Sequence, residues 1–214
     1  MKKMILVAAA ALFATTASAA IKSSSHDFTA AGGGSSCAYC HMPHNSPYTS
    51  TTAPGAPLWA RNIDYTATYT VYASSVTGHQ VPANPPAPGS RICLSCHDGT
   101  QAISTVFQAS GTGTKNAGTS AIGVMSATSP ALVGTDLSND HPVSVSYTTA
   151  NAAIFGLADP ATLATTAFSL PSGKVECVSC HNAHNAAGVA SAYPTRQFMV
   201  AYSGDFCVAC HATK

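Results

Sequence analysis

Cys37-Ala-Tyr-Cys40-His41, Cys93-Leu-Ser-Cys96-His97, Cys177-Val-Ser-Cys180-His181 and Cys207-Val-Ala-Cys210-His211 repeat one pattern four times and use all eight cysteines of the chain. Cys-x-x-Cys-His is the attachment signature of c-type haem. Two thiols add across the vinyl groups of one haem, and the histidine after the second Cys is held where its imidazole reaches the iron from one face. Disulfides and zinc knuckles are the competing readings. Neither requires a histidine after the second Cys in every copy, so four covalent haem c groups are expected.

The N-terminus fits that chemistry. Lys2 and Lys3 precede an apolar run from Met4 to Phe13, and Ala17-Ser18-Ala19 follows as a small-residue cleavage site. This is the layout of an export signal, so residues 1–19 are expected to be a signal peptide. The apolar run falls short of the roughly 20 residues that span a bilayer. No Cys follows the cleavage site to carry a lipid anchor, and no later stretch is long and apolar enough to span. An exported product without a membrane span is expected, outside the cell or at its surface, with the periplasm as the alternative.

Residues 20–214 are expected to form a single tetrahaem domain. Charged residues make up 8% of the chain and aromatics 7%, and much of the 46% hydrophobic fraction is alanine. Side chains alone make a marginal core, so the haems are expected to be the large apolar objects around which the chain folds. Without Lys2 and Lys3 the chain carries seven basic and eight acidic residues, a formal charge of −1. Four haems add propionates worth about −8, offset by up to about +4 from ferric iron, so the holoprotein is acidic. With no basic run, nucleic acid is not an expected partner.

Punctuation between the motifs limits regular structure. Seven prolines lie between Pro47 and Pro88, so helices there are short. Residues 64–76, rich in Tyr, Thr and Val, read as an extended segment on a haem face rather than a strand, because no partner strand is evident. Residues 109–138 and 147–172 are rich in Ser, Thr, Gly and Ala and read as loop, with a short helix near 150–157 or 161–168 and a composition that also suits O-linked sugar. The first and third motifs share the longer pattern Cys-x-x-Cys-His-x-x-His-Asn, a sign of weak internal duplication. The expected fold is a multihaem cytochrome c, mostly coil, with short helices and few strands.

Nine histidines are present. His41, His97, His181 and His211 are the proximal ligands of their motifs, which leaves His26, His44, His79, His141 and His184 for the opposite faces. Beyond the signal the only methionines are Met42, Met125 and Met199, too few to complete four irons, so bis-histidine ligation throughout is expected. His44 and His184 each follow a proximal histidine by three residues and cannot swing to the far face of the same haem. Each must serve a neighbouring one, which holds two irons within roughly 10–12 Å across one turn. Pro142 keeps His141 extended, and Asp140 is a candidate acceptor for its ring. His79, beside a proline-rich loop, is expected to be the spare, with His26 as the fourth distal ligand.

Ser25–Phe28 (SHDF), 37–45 (CAYCHMPHN), 56–59 (APLW), 69–75 (YTVYASS), 93–100 (CLSCHDGT), 139–144 (NDHPVS), 175–185 (VECVSCHNAHN) and 206–211 (FCVACH) together resemble exported multihaem c-type cytochromes. The nearest resemblance is to the OmcE-like tetrahaem cytochromes, whose subunits polymerise into extracellular electron-conducting filaments. The blocks run in order from residue 25 to 211 and leave mainly the two Ser/Thr-rich zones unmatched. The resemblance implies self-association, head to tail, and an axial histidine that crosses between subunits, a role open to His26.

With both axial positions of every iron filled there is no open coordination site, so the expected activity is electron transfer and not catalysis. Redox partner cytochromes or an extracellular acceptor would exchange electrons with it. A soluble periplasmic electron shuttle is the alternative. A multihaem reductase of an oxyanion is the other, and it would need a five-coordinate haem and a cationic pocket.

Overall fold

The computed structural model describes residues 21, 22, 24–49, 51–53, 56, 58–76, 79–108, 110, 113–163, 166, 168–184, 198–200 and 207–212. The signal segment expected at residues 1–19 lies outside them. Most of the described chain is coil, as the density of Pro and Gly requires. The helices are α1 (Thr29–Gly32), α2 (Pro88–His97), α3 (Thr149–Phe155), α4 (Pro160–Leu163) and α5 (Cys177–Cys180), with 3-10 turns at Ser36–Tyr39 and Pro171–Gly173. Strands β1 (Thr105–Phe107) and β2 (Thr114–Asn116) form one antiparallel pair, with Phe107 opposite Thr114. Strands β3 (Val145–Ser146) and β4 (Lys174–Val175) form another, with Val145 opposite Val175. No described helix is long and apolar enough to cross a membrane.

The longest helix among the described residues, α2, starts at Pro88, where the missing N–H costs nothing and the ring pre-sets the backbone. It carries the second motif at its end and buries Gly89, Ser90, Arg91, Ile92, Leu94 and Ser95. Small residues occupy the side where α5 comes close. A Cβ on Gly89 would lie 3.0 Å from Cγ of Glu176. Ser90 Oγ donates to Glu176 Oε2 and accepts from the Cys177 backbone N–H at 3.1 Å. One serine thus ties the helix of the second motif to the start of the third.

Residues 64–76 form no strand: the run opens on a bend at 65–66 held by Asp64 Oδ1, which accepts from the Thr66 and Ala67 N–H groups at 2.7 and 3.1 Å. Their one ladder contact is a parallel bridge from Thr70 to Asp136. The Tyr69 hydroxyl donates to Asp98 Oδ2 at 2.9 Å, which fastens the run to the end of α2. The Ser/Thr-rich zone from 109 holds β2 and then a long loop that packs on the first motif. Ser120 N–H donates to Gly32 O at 2.9 Å, and Tyr39 Oη donates to Gly33 O at 3.0 Å. This approach needs glycine on both sides. A Cβ on Gly118 would meet Gly32 O at 2.0 Å, and one on Gly32 would meet Tyr39 Oη at the same distance. The short helix expected near 150–157 is α3, capped by Thr148 Oγ1 on Asn151 N–H at 3.2 Å.

Among the described residues apolar burial is divided among four small clusters, and two of them form around motif cysteines. Ala53, Ala56, Trp59, Ile63 and Ile92 pack with Cys40, Cys93 and Val178, from three different motifs. Tyr147, Ala152 and Leu163 pack with Ala209 and Cys210 of the fourth.

The hint of duplication has a structural counterpart. His41 bridges Trp59, and His181 bridges Met199, over the same separation of 18 residues. Met42 N–H donates to Leu58 O at 2.9 Å and Ala60 N–H to Cys40 O at 2.8 Å. Asn182 N–H likewise donates to Phe198 O at 2.6 Å and Val200 N–H to Cys180 O at 2.9 Å. Leu58 and Phe198 both hold a positive φ, 55° and 65°. The first and third motifs therefore sit in two copies of one hooked unit.

Candidate haem sites

In each motif the chain turns back on itself so that the histidine N–H meets the carbonyl of the first Cys: His41 on Cys37 O at 2.8 Å, His181 on Cys177 O at 3.0 Å and His211 on Cys207 O at 2.9 Å. In the second motif the same turn is the last turn of α2. All eight thiols are unbridged. Burial pushes Cys40 up to about 12 and Cys180 up to about 11, with neighbouring motif cysteines adding to both.

Three pairs of imidazoles come together. The ring centres of His41 and His184 are 6.1 Å apart with planes at 18°. Those of His26 and His97 are 6.1 Å apart at 63°, and those of His141 and His211 are 6.3 Å apart at 82°. Each pair joins one motif histidine to one that is not in a motif. His184 stands against His41, of another motif, and not against His181 three residues before it. Among the described residues no three or more His, Cys, Asp or Glu side chains converge as a bare-ion site requires. The histidines meet in twos.

Local structure aims the rings. His97 Nδ1 lies 2.7 Å from the carbonyl of Ala131, which can only accept, so Nδ1 carries the proton and Nε2 keeps its lone pair. The same loop closes over the helix end, with Val133 and Gly134 N–H on His97 O at 2.8 and 3.0 Å. His141 Nδ1 donates to the carbonyl of Pro142 at 3.0 Å. Asp140, expected as its acceptor, is replaced in that role by this carbonyl, which the extended backbone before proline brings within reach. His26 is positioned by its neighbours: Asp27 Oδ1 accepts from Ser36 Oγ at 2.6 Å, and Phe28 packs on Tyr39 at 5.0 Å. Its own ring stacks on Phe198 at 4.3 Å and 11°. Burial, followed by the charges of His97, His184 and His181, lowers His26 to about 4, so its ring is neutral at physiological pH.

Neither the His44 nor the His181 ring joins a pair of this kind among the described residues, although burial and then the charge of His97 hold His181 below the usual imidazole range. His79 Nδ1 turns to the carbonyl of Val76 at 3.3 Å and also stays apart from the motif histidines. Within the chain the His26 ring lies beside that of His97.

The motifs follow one another in space in sequence order. Cys40 feels Cys96, the Cys93 and Cys177 thiols share a hydrogen bond, and Cys180 feels Cys210. Two buried polar atoms near these cysteines lack partners among the described residues, Trp59 Nε1 and Glu176 Oε1. Trp59 stands 6.0 Å from His41, ring centre to ring centre, at 89°. Phe198, the Ala131 carbonyl and Arg61 carry no motif and were not legible as site residues; the only sequence hint for Arg61 is its rarity as an arginine.

Comparison with known proteins adds nothing to this geometry: no family model matches the chain, and no curated protein matches it significantly.

Proposed function

We propose that this chain is an exported tetrahaem c-type cytochrome that carries electrons along a row of bis-histidine haems. The observation that supports it best is the pairing of motif with non-motif histidines at 6.1–6.3 Å. An ion bonded at about 2 Å to one nitrogen of each of two facing imidazoles puts their ring centres about 6 Å apart. Rotation about that axis leaves the angle between planes free, which accommodates 18°, 63° and 82°. The free thiols would hold the porphyrin edges, and the buried Trp59 N–H is a donor suited to a propionate.

His41 and His184 would hold the first-motif haem, His97 and His26 the second, and His211 and His141 the fourth. When bound, haem supplies one-electron redox chemistry, and the chain supplies axial ligands, spacing and low dielectric. His181 then needs a partner. In the duplicated unit His44 occupies the position that His184 holds in the other copy, and His184 serves the opposite unit. His44 would by the same logic serve a third-motif haem, that of a neighbouring copy. A head-to-tail contact of this kind, repeated without closing, builds a filament. The crossing ligand in this reading is His44, and His26 stays within its own chain.

A pyridine haemochrome assay with electron paramagnetic resonance tests the reading. Four haems, all low-spin in the assembled protein, are expected; fewer than four rejects it. The unpaired His181 favours one second reading, a reductase with an open third-motif iron. Carbon monoxide binding by the reduced filament, and not only by the monomer, would support that reading over pure electron transfer.

A further inference from the structure

The chain has three arginines, and two of them, Arg61 and Arg91, are buried around the second motif. Arg61 is 0% exposed. Its Nε donates to Ser95 Oγ at 3.3 Å, one terminal nitrogen to the carbonyls of Ser95 at 2.7 Å and Ala102 at 3.1 Å, and the other to those of Ile103 and, at 3.4 Å, Thr105. All five N–H groups of the fork are satisfied, and every one of these acceptors is neutral. Hydrogen bonding is therefore complete, while among the described residues no carboxylate pairs with the charge. Buried charges are ordinarily paired, because an unpaired one is strongly unfavourable.

The location of that charge gives it a use. Arg61 follows Trp59 and Ala60, which bridge the first motif, and it grips Ser95 and the Cys96 sulfur in the second. Its field reaches both the Cys40 and the Cys96 thiols. At Cys40 no carboxylate opposes it. At Cys96 the buried Asp98 does, with the weaker effect of the two. Arg91, stacked over Tyr65 at 4.6 Å, adds a second cation, this one on α2 itself, and Asp64 faces that one. Near the fourth motif, Asp159 acts on Tyr147 beside Cys210, and Asp140 precedes His141 in the chain.

Taking a haem from ferric to ferrous adds one electron and no proton, so a nearby fixed positive charge favours the reduced form. The effect is larger in low dielectric than in water. We propose that Arg61 is an electrostatic tuning residue whose buried charge raises the reduction potential of the first-motif haem and, less strongly, of the second-motif haem. A partly reduced chain then holds its electrons at the junction of these two motifs. The inference rests on the tetrahaem reading above.

Spectroelectrochemical titration of the holoprotein, with dithionite as reductant and ferricyanide as oxidant, tests it. Arg61→Met should move the midpoint of one or two of the four haems to lower potential and leave the others in place. Arg61→Lys, which keeps the charge and loses the fork, should keep midpoints near those of the wild type while lowering the melting temperature. Four attached haems with unchanged midpoints in Arg61→Met would overturn the proposal, as would equal shifts in both variants. Should Arg61→Met not mature, a redox titration of the wild type followed by NMR decides the matter. The first-motif haem should be reduced before the fourth; the reverse order overturns the proposal. A wild-type haem count below four rejects the tetrahaem reading itself and is seen before any midpoint is measured.

Discussion

His184 shows how much one spacing can do. A histidine three residues after a proximal ligand is barred from the far side of its own haem, and the ring it stands against is that of His41, 6.1 Å away in the other hooked unit. The variant His184→Ala should therefore keep four attached haems and convert the first-motif iron, not that of its own motif, to high spin. Electron paramagnetic resonance checks this, and the new signal should vanish when Cys37 and Cys40 are also removed. A high-spin signal that survives their removal would place His184 elsewhere. The same scale shows what spacing leaves out. His97 is oriented by the carbonyl of Ala131, and every residue type has a carbonyl, so no pattern marks it.

At the scale of elements, the segments that matter are barely elements at all. The long Ser/Thr-rich loop after β2 is ordered by contact with the glycines before the first motif, where Gly118 and Gly32 leave no room for a side chain. The variant Gly118→Ala should cost about 1–3 kcal/mol, the usual range for overpacking a tight contact, read as a lowered melting temperature. Helix α3 is set by ordinary capping, with Thr148 at its start and Gly156 at φ 63° after its end. The variant Thr148→Ala should cost about 1 kcal/mol in the same measurement. Both losses act on segments that bring Tyr39 and Tyr147 against the motifs, so haem attachment should persist in each variant with reduced stability.

For the whole molecule, the two hooked units impose an asymmetry. The third-motif unit sets its His184 against His41 of the first, whereas His44 of the first-motif unit faces no motif histidine among the described residues. The variant His44→Ala should yield monomers with four attached haems, one of them five-coordinate, and no filaments in negative-stain images. The variant His26→Ala should instead disturb the second-motif haem and leave assembly intact. Normal filaments from His44→Ala, with every iron low-spin, would return the crossing role to His26 or His79.

Readable from the chain alone were the four Cys-x-x-Cys-His motifs, the stock of candidate ligands, the coil-dominated fold and the expectation that His44 and His184 pair away from the motif histidines beside them. These depend on composition and on separations of a few residues, which covalent geometry nearly settles. Which histidine faces which, the carbonyls that orient them, the buried charge of Arg61 and the replacement of Asp140 by Pro142 O depend on contacts between segments tens of residues apart. His26 lies 71 positions before His97, and His184 lies 143 after His41. Such pairings follow from how loops without periodic pattern pack against one another, and local sequence does not encode that.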